Sequence, residues 1–285
     1  MIFAIVVLYN PNLDDLKKTL DILSNQVDFI VLGNNSNYII DINHIENIKI
    51  FNFMDNLGIA KAQNICMDWA FNNNAQYIVQ MDQDSIPHED LVEKLLLCYS
   101  GLERAGVNVG IVGAVDYDKD TKNSSDNIKT KGEIYNGFNV ILTDYIISSG
   151  CLISKKMYDL VGEMDDGLFI DLVDFEYCWR ASHNGFINVK FIEAKLAHKV
   201  GEGRIVRGPL KLYTPAPIRQ YYQYRNFILL SFRKYVPFKW KFIELVKCCS
   251  NVFLSPIFLG QPKLRLSYIF KGIYSGLTKR TGRYE

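Results

Sequence analysis

The amino-acid sequence predicts an α/β protein in which a mixed, mostly parallel sheet is flanked by helices and followed by a basic helical extension. Three observations carry that reading. Apolar, β-branched runs alternate with segments whose apolar residues recur at helical spacing. Each early run closes in small polar residues, the pattern of a sheet whose loops line one edge. Charge is segregated: residues 1–200 hold 16 Lys/Arg against 28 Asp/Glu, a net of −12, whereas residues 201–285 hold 16 against 3, a net of +13.

Residues 2–8 form a continuous apolar run of the kind buried on both faces of a sheet, and Asn12 caps a following helix with Leu13, Leu16, Leu20 and Leu23. The run has no basic flank and no small-residue cleavage site, so it reads as a first strand and not as a leader. A second run, 29–32, ends in Gly33-Asn34-Asn35-Ser36; a third, 48–53, ends in Asp55-Asn56-Leu57-Gly58 before a helix carrying Ile65, Trp69 and Ala70. Ile78, Val79 and Met81 belong to a fourth, which runs into Asp82-Gln83-Asp84-Ser85 and a turn at Pro87.

A helix over 89–99 and a buried strand over 109–115 come next, and then residues 116–133, polar throughout, read as an exposed loop with no packing role. Strand-like runs return at 138–142 and 145–149, and Gly150 marks a close approach of backbone. Residues 167–180 open a helix that runs to about His183 and stops at Gly185; 186–193 is a further strand. From Pro217 onward the chain reads as helices, at 219–226, 232–252 and 264–277, that mix Lys/Arg with aromatic and aliphatic residues.

An apolar fraction of 48% is that of a globular protein and excludes disorder. The basic end favours an anionic membrane surface over nucleic acid, because aromatic residues accompany the charge and no nucleic-acid motif does. No apolar run reaches the ~18 residues needed to span a bilayer; the longest, around 246–259, is interrupted by Lys247, Asn251 and Pro256. The six cysteines have no C-x-x-C pairing and read as reduced packing residues of a cytosolic protein.

Two acidic groups carry the chemistry. Asp82 and Asp84, two residues apart at the end of a strand, send both carboxylates to one side, at the carboxyl edge where α/β sheets bind ligands. Such oxygen donors suit Mg²⁺ or Mn²⁺, whose natural cargo is a diphosphate. The motif alone is frequent by chance and commonly marks a solvated turn. Asp171, Asp174 and Glu176 stand at a helix opening, where acids offset the dipole; three of them among Phe169, Ile170, Val173, Phe175 and Trp179 are costly to bury without a task. A base acting on a hydroxyl is such a task. His198, ahead of Gly201, Gly203, Arg204 and Arg207, reads either as a satisfied structural histidine or as a third metal ligand beside a basic lid.

In this order, Val7-Leu8-Tyr9-Asn10-Pro11, Leu32-Gly33-Asn34-Asn35-Ser36, 56–64, Met81-Asp82-Gln83-Asp84-Ser85, Ser149-Gly150-Cys151, 169–180, His198 with its glycines, and Tyr221-Tyr222 with Arg225-Asn226 resemble the family 2 glycosyltransferases of GT-A (Rossmann-like) fold, and most closely their bacterial rhamnosyltransferase-like branch. The resemblance implies a glycosyltransferase domain over 1–210, with a nucleotide-sugar-binding half at 1–115 and an acceptor half at 134–210, and the extension at 211–285. It implies donor contacts from Tyr9, Asn10, Asn34, Asn35, Asn56, Gly58, Lys61, Asn64, Asp82, Gln83, Arg204 and Arg207, and acceptor contacts from Ser149, Gly150, Asp171, Trp179 and Arg180. Asp82, Asp84 and His198 would hold the cation; Asp174 would be the base, with Glu176 as its fallback, in a single inverting displacement. Gly33 replaces an aspartate that many members use to pair with a pyrimidine, and Gln63 replaces a common arginine.

The expected function is therefore transfer of a sugar, L-rhamnose from dTDP-rhamnose being the leading donor, to a lipid-linked glycan at the cytoplasmic face of the cell membrane. The expected partners are a nucleotide-diphosphate sugar, that acceptor and an anionic membrane surface, without nucleic acid and with room for a homodimer. A UDP-hexose transferase of the same fold and a non-catalytic sugar- or membrane-binding module are the rivals. A sugar-nucleotide pyrophosphorylase would open with a glycine-rich basic loop, and Tyr9-Asn10-Pro11-Asn12 is not one.

Overall fold

A computed structural model describes residues 1–42, 45–118, 133–198, 204–207, 210–213 and 215–285. The first strands and helices are β1 (Ile2–Leu8), α1 (Leu13–Ser24), β2 (Phe29–Asn34), β3 (Ile48–Asn52), α2 (Ile59–Asn72), β4 (Tyr77–Asp82), the two-residue β5 (Ile86–Pro87) and α3 (Leu91–Arg104). They are followed by β6 (Val109–Asp118), β7 (Glu133–Tyr135), β8 (Phe138–Leu142), β9 (Cys151–Ser154), α4 (Lys155–Val161), a 3-10 turn at Asp166–Leu168, α5 (Val173–His183) and β10 (Ile187–His198). A small ribbon of β11 (Arg204–Arg207) and β12 (Leu210–Tyr213) leads to α6 (Pro217–Ser231), α7 (Phe238–Phe258) and α8 (Pro262–Leu277).

The strands lie in the order β3-β2-β1-β4-β9-β6-β10-β8-β7, with β5 paired to β10. The β3-β2-β1-β4 block is parallel, β9 runs antiparallel between β4 and β6, and β6 pairs parallel with β10. Alternation along each strand builds a core on both faces. Phe3 and Ile5 of β1 join α2, α4 and α5 on one side, while Ala4, Val6 and Leu8 join α1 and α3 on the other. Asn12 caps α1 as expected, its side chain accepting from the Asp14 and Asp15 N–H groups.

Two expectations are corrected. Residues 145–149 form no strand: the Ile146 N–H and carbonyl are both engaged by the Cys178 thiol of α5, so the segment crosses to the helix layer without joining a ladder. Cys249 is exposed, not in apolar surroundings; the other five cysteines are buried, and all six are free. The expected loop lies outside the described residues over 119–132, while 116–118 extend β6.

The helical extension is knitted to the sheet domain. Arg225 and Asn226, buried on α6, bind the carbonyls of Gly167, Leu168, Ile170 and Asp171. The backbone ahead of α5, with φ of 63° at Phe169, 66° at Asp171 and 65° at Leu172, is held in its left-handed conformation by these bonds. Among the described residues, no helix is long and apolar enough to cross a membrane.

Candidate active site

Parallel pairing places the ends of the early strands at one edge. In register, Leu8 lies beside Asn34 and Val7 beside Asp82, so Tyr9-Asn10, Asn34-Asn35 and Asp82-Asp84 emerge together. Asp82 is partly buried and Asp84 exposed. The second acidic group reaches the same edge by way of β9. Gly150 donates to the Gln80 carbonyl at 2.8 Å, and its φ of 71° and the close Ala114 and Leu196 side chains leave no room for a Cβ. Gly150 is thereby explained by packing.

The dipeptide before it connects the two acids. Ser149 Oγ accepts the Asp82 N–H at 3.1 Å and donates to Ser85 Oγ at 2.9 Å. Next to it, the Ser148 backbone favours the charged form of Asp174 in the first turn of α5. Burial pushes the Asp174 carboxyl up to about 7; the Phe175 N–H pulls it back, and the charge of Asp82 raises it further. Asp82 and Asp174 thus lie close enough for the charge of one to act on the other. A carboxyl with that affinity for a proton suits a general base at neutral pH.

Several expected contacts have other work. Glu176 is wholly buried; both its oxygens take Arg180 at 2.8 and 2.9 Å, and Oε1 also receives Tyr235 at 2.5 Å and Arg233 at 3.1 Å. It faces the α5-α6 junction and has no free edge for an acceptor hydroxyl. Arg180 spends its remaining donors on the Val161 and Glu163 carbonyls. Trp179 is buried against Trp240, with ring centroids 4.6 Å apart. Asp171 forms an ion pair with Arg219 of α6, and Ser149 is buried beneath Asp82. These residues support the cleft from behind.

Four of the asparagines have protein partners for their side chains. Asn34 is buried and binds the Tyr38 carbonyl, Asn52 and the Ser36 N–H. Asn35 ties this loop to the next, donating to the Gly58 carbonyl and accepting from the Leu57 N–H. Asn64 is buried against both backbone groups of Met164. Gln83 clamps the N–H and carbonyl of Tyr9, whose ring is exposed. Asn56 accepts the Gly58 N–H, and Lys61 is exposed on the first turn of α2. Asn10, at φ 46°, donates its N–H to Ser36 Oγ. The side chains of His198, Arg204 and Arg207 lie outside the described residues.

Ser148 and Tyr145 were not legible as site residues. Ser148 acts through its backbone, which residue type does not reveal. Tyr145, 40% exposed, stacks on Phe175 at 4.0 Å next to Asp174 and offers a ring face of the kind that packs on a sugar. Among the described residues no third His, Cys, Asp or Glu joins Asp82 and Asp84 in a metal-binding group. Two carboxylates at a sheet edge fit a hard cation that takes its other oxygens from a diphosphate and water.

The chain matches the family model of glycosyl transferase family 2 over residues 3–161. It is 29% identical, over 97% of its length and 94% of the relative's, to the dTDP-rhamnosyl transferase RfbF of Shigella flexneri. Among solved structures it is similar to S. aureus TarS in complex with UDP-GlcNAc, with a TM-score of 0.60 and 11% identity over 96% of this chain and 81% of that one. It is also similar to GalNAc-T7 with UDP, GalNAc and Mn²⁺, with a TM-score of 0.57 and 12% identity over 95% of this chain and 55% of that one.

Proposed function

This chain belongs to glycosyl transferase family 2, and on that premise we propose that it transfers L-rhamnose from dTDP-rhamnose to a lipid-linked glycan, with inversion and with the help of a divalent cation. The observation that carries this reading is the nearness of Asp82 and Asp174, whose charges act on each other where Ser149 holds the end of β4. One acid stands where a departing nucleotide would lie, the other where an incoming alcohol would. The similarity to a dTDP-rhamnosyl transferase along 97% of the chain supports the choice of donor.

In this mechanism Asp174 accepts the proton of the acceptor hydroxyl as that oxygen attacks the anomeric carbon from the face opposite the diphosphate. One displacement inverts the centre. Asp82 and Asp84 would hold Mg²⁺ or Mn²⁺, which supplies positive charge to the leaving diphosphate when bound. The Asp174 carboxylate is oriented by the Phe175 N–H group. Tyr145 and Phe175 offer a stacking face for the acceptor sugar.

The acceptor's lipid and the basic end of the chain point to a membrane surface. Phe238, Phe242, Phe253 and Ile257 of α7 are 61 to 80% exposed, in a segment rich in Lys and Arg, a combination that suits the interface of an anionic bilayer. A panel of nucleotide sugars, scored for binding and for release of nucleotide, tests the proposal. dTDP-rhamnose should bind and turn over best; a preference for UDP-hexoses would replace the donor, and binding of none would remove the reading.

A further inference from the structure

A cavity of about 860 Å³ lies between α8 and the chain that follows it. Lys271, Lys279, Arg280 and Arg283 line it, and Glu285 contributes the one carboxylate side chain on its wall. Helix α8 is brought there by close contact with α6: a Cβ on Gly272 would lie 2.5 Å from the Tyr221 carbonyl oxygen. The chain then doubles back. The Arg280 N–H binds the Ser275 carbonyl at 2.8 Å, the Gly282 N–H binds the Gly167 carbonyl at 2.7 Å, and Arg283 reaches Asp55 at 2.6 Å.

The cations are held in place by rings. Lys271 Nζ lies 2.8 Å from the Tyr284 hydroxyl and 5.4 Å from its ring centroid, and the Arg280 guanidinium lies 5.2 Å from the Tyr274 ring. Arg283 has Asp55, but among the described residues Lys271, Lys279 and Arg280 have no carboxylate at ion-pair distance. Three cations without an ion pair on one wall make a positive surface that attracts an external anion. Three cations against the Glu285 carboxylate leave a net charge of about +2, which a phosphate or diphosphate group would offset.

We propose that this cavity binds a diphosphate group, separate from that of the sugar donor, with Lys271, Lys279 and Arg280 as its counter-charges. A file of rings, Tyr284, Tyr221, Tyr222 and Phe169, separates it from Gly58 at the start of α2. The diphosphate headgroup of a lipid-linked acceptor has this chemistry, and exposed Phe270 and Tyr274 on the wall suit the start of its hydrocarbon. That lipid source rests on the function proposed above; diphosphate binding itself does not.

Calorimetric titration of the full chain in EDTA, with inorganic pyrophosphate, farnesyl diphosphate and farnesol, tests it. Both diphosphates should bind the wild type and bind Lys279→Ala/Arg280→Ala at least tenfold more weakly, with an unchanged melting temperature; Lys271→Gln gives a second readout from the helix side. Tighter binding of farnesyl diphosphate than of pyrophosphate assigns the lipid headgroup, and equal binding assigns the free anion. Equal affinities in wild type and both variants, or farnesol binding as tightly as farnesyl diphosphate, would overturn the proposal. Failure of every nucleotide sugar to bind would sink the donor reading and leave this result standing.

Discussion

Asp174 and Glu176 are two residues apart, and on a helix that spacing turns one about 200° from the other. Asp174 lies within reach of the charge of Asp82, and Glu176 looks into a cage of Arg180, Arg233 and Tyr235. The four-residue spacing of Glu176 and Arg180 was a signal for the second role, and the acidic composition of the stretch hid it. Removing Glu176 leaves the partly buried Arg180 without a carboxylate and the Tyr235 hydroxyl without its acceptor, while Arg233 keeps Asp165, so Glu176→Ala should cost about 1–3 kcal/mol, read as a lower denaturation midpoint. Asp174 behaves in the opposite sense. Its folded-state affinity for a proton is raised to about 7 from 3.8, so keeping it ionised costs stability that is absent below pH 3.8, grows as pH rises towards 7 and is constant above. Asp174→Asn should therefore stabilise the fold more at pH 8 than at pH 4, by on the order of 2–4 kcal/mol from denaturant unfolding; an equal gain at both would contradict the raised value. Asn34 and Asn64 turn inward, a direction that residue type does not reveal. A carboxamide serves a ligand and a buried loop equally well, and only the direction of the side chain separates Asn34 or Asn64 from a donor contact.

At the scale of elements, the parallel block was legible because its strands are covered on both faces and end in polar residues at a common edge. The antiparallel β9 was not. Four residues between Gly150 and the short helix α4 are too few for a periodic signal, yet this strand delivers Ser148 and Ser149 to the two acids. Helix α8 depends on a small-residue contact that the basic composition masked. A side chain at Gly272 would collide with α6 backbone, so Gly272→Ala should separate the two helices and lower stability by about 1–3 kcal/mol, measured by urea unfolding. No change would show that the helices are free to move apart.

For the whole molecule, segregated charge was visible at once, but its distribution in space was not. Helix α6 frames the candidate site, because its Arg225 and Asn226 hold the backbone ahead of α5; α8 packs along α6, and α7 presents the exposed apolar surface. Phe238→Asp/Phe242→Asp should reduce co-sedimentation with anionic vesicles severalfold while leaving the melting temperature unchanged, and undiminished sedimentation would remove the membrane reading. The central claim is that two acidic groups divide the labour of one sugar transfer. It is tested most directly by comparing wild type and Asp174→Asn with dTDP-rhamnose, measuring donor affinity and turnover together. The variant should bind the donor within about threefold of wild type and lose about 10²–10⁴ in turnover; retained turnover, or loss of donor binding in step with activity, would contradict the account.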